Sequence, residues 1–413
     1  MRGPRLLCAA AALTLWSGTA AADGLPDLTL RAMADLRLVR TPDEVGWRDG
    51  GLGLTRYGGD GAASQVEPQL AELALVPTLH LASGLDATAY VRVEPDQDTV
   101  VDVVEAYLRY RPVSTSRWRW SGRAGAFFPP VSLENDGLAW SSRYSLTPSA
   151  INSWIGEEVR AIGAEGTLEW RGDADRLKAF GSVFGWNDAA GILVAYRGWA
   201  LHDRWTGLNE DVRMPDEIPL HLGGRPPLSR DIFLETDDRA GWYAGGEWAR
   251  RGLGRLTAMR YDNRTDPRSF NGQFGWQTRF WSAGAELTPL PGLTLLAQGM
   301  VGDTEVWPNR ILRSWTDFEA FYLLASQEIG RWRLTARFDA FGTEERSLSH
   351  ATRKQLGGNG KAYLAAVSHR PHDRVRVTLE LLHVDSTRQQ RLAVDLPEDA
   401  AETQVQASVR LFF

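Results

Sequence analysis

Residues 100–112 read VVDVVEAYLRYRP, residues 117–128 read RWRWSGRAGAFF, and residues 129–160 read PPVSLENDGLAWSSRYSLTPSAINSWIGEEVR. In the first run Val104, Ala106, Leu108 and Tyr110 share one face of a period-two pattern, and Glu105, Tyr107, Arg109 and Arg111 share the other. The second run sets Trp118, Trp120, Gly122, Ala124 and Ala126 against Arg117, Arg119, Ser121 and Arg123. After Phe128 no period survives until about residue 159. The pattern predicts strand, short turn, strand, long loop. Strands of a water-soluble sandwich are usually five or six residues long. These runs reach ten to twelve, about what a tilted strand needs to cross a bilayer.

The ends of the chain agree with export to a membrane. Residues 1–22 carry Arg2 and Arg5, an apolar core LLCAAAALTLW and a small-residue ending, the pattern of a cleaved secretory signal. Cleavage removes the single cysteine, Cys8, and moves the formal charge from −6 to −8 with the loss of Arg2 and Arg5. That mild acidity argues against nucleic acid as a partner. No later stretch approaches eighteen consecutive apolar residues, so no helix is predicted to span a membrane. Seventeen Trp and forty-one Gly suit a barrel with aromatic girdles and tight turns. The last residues, QVQASVRLFF (404–413), alternate Val405, Ala407, Val409, Leu411 and Phe413 with Gln404, Gln406, Ser408 and Arg410. A final alternating strand closed by an aromatic, here Phe413, resembles the assembly signal of bacterial outer-membrane barrels.

Sixteen long runs follow along residues 23–413, at 27–39, 67–82, 84–95, 100–111, 116–127, 159–171, 175–186, 240–249, 253–262, 276–288, 293–302, 317–328, 331–341, 360–370, 374–386 and 403–413. The connections after even-numbered runs are short. Those after odd-numbered runs are mostly long and polar, at 40–66, 128–158, 187–239, 263–275, 303–316, 342–359 and 387–402. The expected fold is an all-β transmembrane antiparallel barrel of about sixteen strands, with short periplasmic turns and long outer loops. Charged inward faces such as Arg333, Thr335, Arg337 and Asp339 look into a lumen, because an Arg at mid-membrane on the lipid side costs roughly 2–4 kcal/mol. Runs 317–328 and 360–370 fit either phase. A closed sheet this wide leaves an aqueous channel unless a loop enters it, which makes loop 128–158 the natural constriction. The way loop 187–239 folds is left open.

Several residues also match a family. EAYLR (105–109), GRAGAF (122–127) followed by Pro129, Pro130 and SLE (132–134), and residues 142–149 with Arg143 resemble the segment leading into the third loop of the phosphate-selective porin O and P family. RLVRTPDEVGWRDGGLGLTRYGG (37–59) is of a kind found in such proteobacterial porins. The resemblance is close over about sixty residues and architectural elsewhere. It implies a sixteen-stranded porin, as a homotrimer in the bacterial outer membrane. Anion-selective members carry an Arg ladder and a Lys cluster at the constriction. Here Lys178, Lys354 and Lys361 are the only lysines, and loop 128–158 has none.

The function expected is a passive porin for small hydrophilic solutes, anionic ones among them, with no reaction and no cofactor. Its partners are outer-membrane lipid, the assembly machinery and the solutes themselves. Arg31, Arg37, Arg92, Arg109, Arg119 and Arg123 fall on the inward phase of the first five runs. Glu134, Asp136, Glu157 and Glu158 lie on or beside the loop that faces them. Opposed rows of this kind set up a transverse field. Alternatively those arginines pair with wall acids such as Glu94 and Glu105 and only keep the lumen wet. Two other functions stay open: a specific channel for sugars or acidic oligosaccharides, and a closed barrel acting as scaffold or enzyme. Seven scattered His without an i, i+4 pair give no metal site, and no G-x-S-x-G elbow occurs. Trp140, Trp154, Trp186, Trp199, Trp205, Trp276, Trp307 and Trp315 suit either a girdle and loop packing or sugar stacking.

Overall fold

The computed structural model describes residues 27–95, 97, 99–214, 231–310, 312–346 and 357–413. The export signal read at 1–22 lies outside the described residues, as do 215–230 of loop 187–239 and 347–356 of loop 342–359. Sixteen strands form the wall: β1 (Asp27–Arg40), β2 (Val66–Ala82), β3 (Leu85–Val93), β4 (Val101–Tyr110), β5 (Trp118–Phe127), β6 (Ala161–Arg171), β7 (Asp175–Gly185), β8 (Gly241–Arg250), β9 (Gly254–Asp262), β10 (Gln277–Leu290), β11 (Leu293–Val306), β12 (Ser314–Ile329), β13 (Trp332–Glu345), β14 (Gly358–His372), β15 (Val375–Arg388) and β16 (Asp399–Phe412). Each pairs antiparallel with its chain neighbours, and β1 closes the sheet on β16. At that seam Ala34 sits opposite Leu411 and Leu38 opposite Ala407. Phe413 extends the seam: its N–H donates to Ala32 O at 2.9 Å, and its carbonyl accepts from Ala32 N at 3.1 Å. Closure leaves no unpaired strand edge, the condition for a sheet in lipid.

Local chemistry accounts for the wall. Trp118, Trp120, Trp242, Trp281 and Trp332 point outward and are exposed, while Gln404, Gln406, Ser408 and Arg410 of β16 point inward and are buried. Two-residue turns join β2 to β3 and β10 to β11. Gly84 (φ 77°) and Gly292 (φ 76°) supply the left-handed conformation such turns need. These short turns define one end of the barrel, and the long loops define the other.

Two details depart from the sequence reading, and a third settles a phase that it left open. Val104, expected outward with Ala106, Leu108 and Tyr110, is 0% exposed and belongs to the interior core. Tyr90 pairs with Glu105 but Val91 pairs with Val103, so Val104 is the extra residue of a β-bulge, which reverses the phase below it. Second, the loop expected at 303–316 is largely ladder: Thr304 pairs with Thr316, Glu305 with Trp315 and Val306 with Ser314. Polar residues hide that continuation because strand ends outside lipid need no apolar face. Third, Phe318, Ala320, Tyr322, Leu324 and Ser326 of β12 point inward, as do Ala362, Leu364, Ala366 and Ser368 of β14. These strands were ambiguous because both their faces meet apolar surroundings.

Those surroundings are loops. The connections β1–β2, β5–β6 and β7–β8 fold into the long-loop half of the lumen. There Trp47, Leu54, Ile151, Trp154, Ile155, Leu193, Trp199, Leu201 and Trp205 join Leu296, Met300, Phe318, Tyr322, Leu364 and Leu382 of the wall in one buried cluster. In this half the inward charges therefore meet loop atoms and not water, contrary to the expected water-lined wall. Trp154, Trp199, Trp205 and Trp276 pack loops, whereas Trp186 is exposed.

Candidate functional site

Loop 128–158 crosses the lumen and ends in helix α1 (Ala150–Glu158). Ser149 caps the helix, its side chain accepting from Asn152 N at 3.3 Å. All nine helical residues are buried, because the lumen wraps every face. Trp154 lies edge-on to Trp199 and Phe280, with ring centroids 5.8 and 5.4 Å away. The wall holds the loop through its orphan backbone groups. Glu380 of β15 accepts from Leu146 N at 2.6 Å and Thr147 N at 3.1 Å, and Asp339 of β13 accepts from Ala150 N at 3.2 Å. Arg337 donates to Thr147 O at 2.7 Å and Pro148 O at 2.9 Å, and pairs with Asp339 at 2.7 Å. Glu134 accepts from Ser149 N and Asn152 Nδ2, both at 2.7 Å, and lies 3.5 Å from Arg337.

Beside this anchor, starting from β16 and β1, an alternating chain of buried charge ties the wall to loop 187–239. Arg410 pairs with Asp35 at 2.7 Å, and Asp35 with Arg37 at 2.6 Å. Arg37 contacts Asp203, which also takes Arg56 at 2.9 Å. Arg56 meets Glu94 at 2.5 Å, and Glu94 stands 3.5 Å from Arg92. Arg92 pairs with Glu210 at 2.6 Å, and Glu210 with Arg204 at 2.5 Å. Arg204 reaches Glu157 at 2.7 Å, which receives His202 at 3.1 Å and Trp47 Nε1 at 2.9 Å. Burial alone would raise the Asp203 carboxyl, but Arg37 and Arg56 hold it far below the usual range. Burial opposes ionisation of Glu157 too, and His202 and Arg204 bring it down to about 2. Loop–loop contacts complete the fill. Arg160 stacks on Phe128 at 3.6 Å and donates to Thr206 O at 2.8 Å, with burial pushing it down to about 9. Arg197 lies 3.5 Å over Trp47 and donates to Gly51 O at 2.7 Å.

The residues singled out from sequence fall in several places. Arg37 and Arg92 belong to the charge chain, and so does Glu157. Glu158 receives Leu193 N at 2.9 Å, Val194 N at 3.3 Å and Trp154 Nε1. Glu105 accepts from Phe128 N at 2.9 Å, and Arg123 pairs with Glu165 at 2.9 Å while donating to Phe128 O at 3.0 Å. Arg143 pairs with Asp136 of its own loop. Arg109 binds Asp86 at 3.0 Å near the turn end. Arg119 is half-buried with no acceptor on its Nε, and Arg31 is exposed on the wall. Glu134 thus faces Arg337, not Arg109, Arg119 or Arg123. Asp35, Arg56, Asp203, Arg204, Glu210, Arg337, Asp339, Glu380 and Arg410 are the principal additions. The inward phase marks those on strands, but Asp203, Arg204 and Glu210 sit in a loop without period. Asp188, Glu235 and Asp237 each bring one oxygen within 4.8 Å of the others, but Asp188 and Glu235 also accept loop N–H groups, from Thr236 and Trp186.

No family model and no curated protein sequence matches the chain. Among solved structures it is similar to the outer membrane channel DcaP of Acinetobacter baumannii, at 9% identity and a TM-score of 0.55 over 95% of this chain and 99% of that one. It is also similar to the anion-selective porin from Comamonas acidovorans, at 12% identity and a TM-score of 0.52 over 94% and 99%. OmpT, an outer membrane protein of Vibrio cholerae in its trimer form, aligns at 10% identity and a TM-score of 0.50 over 94% and 100%. At such identities the likeness is one of fold: an outer-membrane-type β-barrel.

Proposed function

We propose that the chain is an outer-membrane porin, a passive channel for small hydrophilic solutes, whose path is restricted by loops 128–158 and 187–239 together. The observation that carries this reading is a closed sixteen-stranded wall, apolar outside and charged inside, with three long loops drawn into its lumen. Such a wall fits a channel, because solutes then feel pore width and internal charge without any chemistry. The turn-end half of the lumen keeps its charge accessible: Arg31 and Arg109 are exposed, and Arg119, Arg123, Glu165 and Arg176 are half-buried. An anionic preference is drawn from these arginines. In the same reading the signal at 1–22 is cleaved, Phe413 guides assembly into the outer membrane, and three copies associate. Gly122 faces Gly166 across the ladder and Ala124 faces Ala164, a patch smooth enough for a second wall to approach closely.

Planar bilayers test this. Discrete conductance steps with an anion-leaning reversal potential in a salt gradient support the porin. A folded, inserted protein with no steps would instead make it a closed barrel of the scaffold kind. Steps that saturate with a sugar or sugar acid favour the specific-channel reading, which the combination of Arg and Trp around loop 128–158 supports.

A further inference from the structure

Between the inner wall of β1–β5 and the first part of loop 128–158 lies a cavity of about 390 Å³. Arg31, Tyr107 and Arg123 line it from the wall, and Asn135, Asp136 and Trp140 from the loop. Its volume is at the small end of pockets that hold small molecules. Most of its charged groups are already committed: Arg123 to Glu165, Asp136 to Arg143, and Glu105 to the Phe128 amide.

Two groups are not. Asn135 is only 6% exposed, yet neither its amide nitrogen nor its oxygen has a hydrogen-bond partner. A buried amide left in that state is costly and uncommon. Arg31 makes no ion pair among the described residues and stands exposed at the edge of the same cavity. The lining also contains strained backbone. Ala139 (φ 56°) and Trp140 (φ 53°) are consecutive left-handed residues, and the indole is stacked on Phe128 with centroids 4.0 Å apart. A bulky residue at positive φ is disfavoured, and here the conformation brings the Trp140 ring to the cavity.

The unfilled capacity is thus one cation and one amide that can both donate and accept. A neutral sugar satisfies Asn135 and leaves Arg31 bare. A simple carboxylate does the reverse. We infer that the cavity docks a small carboxylate that also carries hydroxyl groups, an aldonate being the type, with the carboxylate at Arg31 and a hydroxyl at Asn135. This rests on the channel reading, which places the cavity on the solute's path.

Calorimetry on the folded protein in detergent micelles tests it with gluconate, glucose and acetate as probes. Gluconate should bind saturably, and glucose and acetate about tenfold or more weaker. Arg31→Gln should erase the preference for gluconate over glucose, and Asn135→Ala the preference over acetate. Arg31 is on the exposed wall, so that variant folds even if the loop variant does not. No saturable heat with gluconate, or wild-type binding by Arg31→Gln, overturns the inference. Conductance steps without gluconate binding sink the pocket and leave the channel. Gluconate binding by a protein that gives no steps sinks the channel and leaves the pocket.

Discussion

Replacing Asp203 with Asn removes the carboxylate on which three wall and loop arginines converge. Arg37 contacts it, Arg56 lies at 2.9 Å and Arg410 at 3.9 Å. Stripping one partner from a buried pair costs about 3–5 kcal/mol because the other charge stays buried. The Asn oxygen keeps one hydrogen bond, roughly 1 kcal/mol. The net loss is therefore about 2–4 kcal/mol, or a factor of roughly 30 to 800 in the ratio of docked to released loop. The barrel ladder is untouched, so the loss should fall on residues 197–214 and leave the heat-modifiable gel mobility unchanged. Hydrogen exchange read by mass spectrometry reports the opening free energy of that segment. The pH dependence carries a sign. The folded pKa of Asp203 is depressed, so its contribution is full above the unfolded value of about 3.9 and is lost only as pH falls through the folded value. Wild-type protection at 197–214 should hence gain no slope from Asp203 between pH 5 and pH 8. If Asp203→Asn exchanges like wild type across 197–214, or loses protection equally in β12, the charge chain is not what holds the loop.

Glu158 works with the opposite sign. Burial raises its carboxyl to about 8 despite the N–H donors of Leu193, Trp154 and Val194. The folded chain then keeps a proton that the unfolded chain has released above about 4.3, and stability falls with rising pH until the folded value is reached. Protection at residues 192–196 should drop by roughly 2 kcal/mol between pH 6 and pH 8, and Glu158→Gln should flatten that slope; an unchanged slope refutes the assignment. Removing Phe413 deletes both hydrogen bonds to Ala32, so outer-membrane yield should fall. Normal yield and mobility would show that β16 closes without it. Deleting residues 134–152 uncovers Arg337, Asp339 and Glu380 and should raise single-channel conductance. An unaltered conductance in a folded deletion would assign the restriction to loop 187–239.

The strand count and the phase of such runs as 331–341 and 403–413 could be read from sequence, because a bilayer imposes a strict period of two. Trp332, Leu334 and Ala336 must face lipid whatever the rest of the chain does, and Arg333, Thr335 and Arg337 must not. The C-terminal alternation from Gln404 to Phe413 is local in the same way. The Val104 bulge was not legible, since an inserted residue leaves composition unchanged and shows only in the pairing of Tyr90 with Glu105 and Val91 with Val103. Nor was the fate of the inward charges. Arg37 and Arg109 have the same phase, yet Arg37 is sealed against Asp203 while Arg109 remains at the turn end with Asp86. Asp203 is separated from Arg37 by 166 residues, in a loop with no period to mark it. Periodicity reports which side of a wall a residue faces. Which loop then covers that side depends on long-range docking of charge and aromatic surface, and only the tertiary structure decides it.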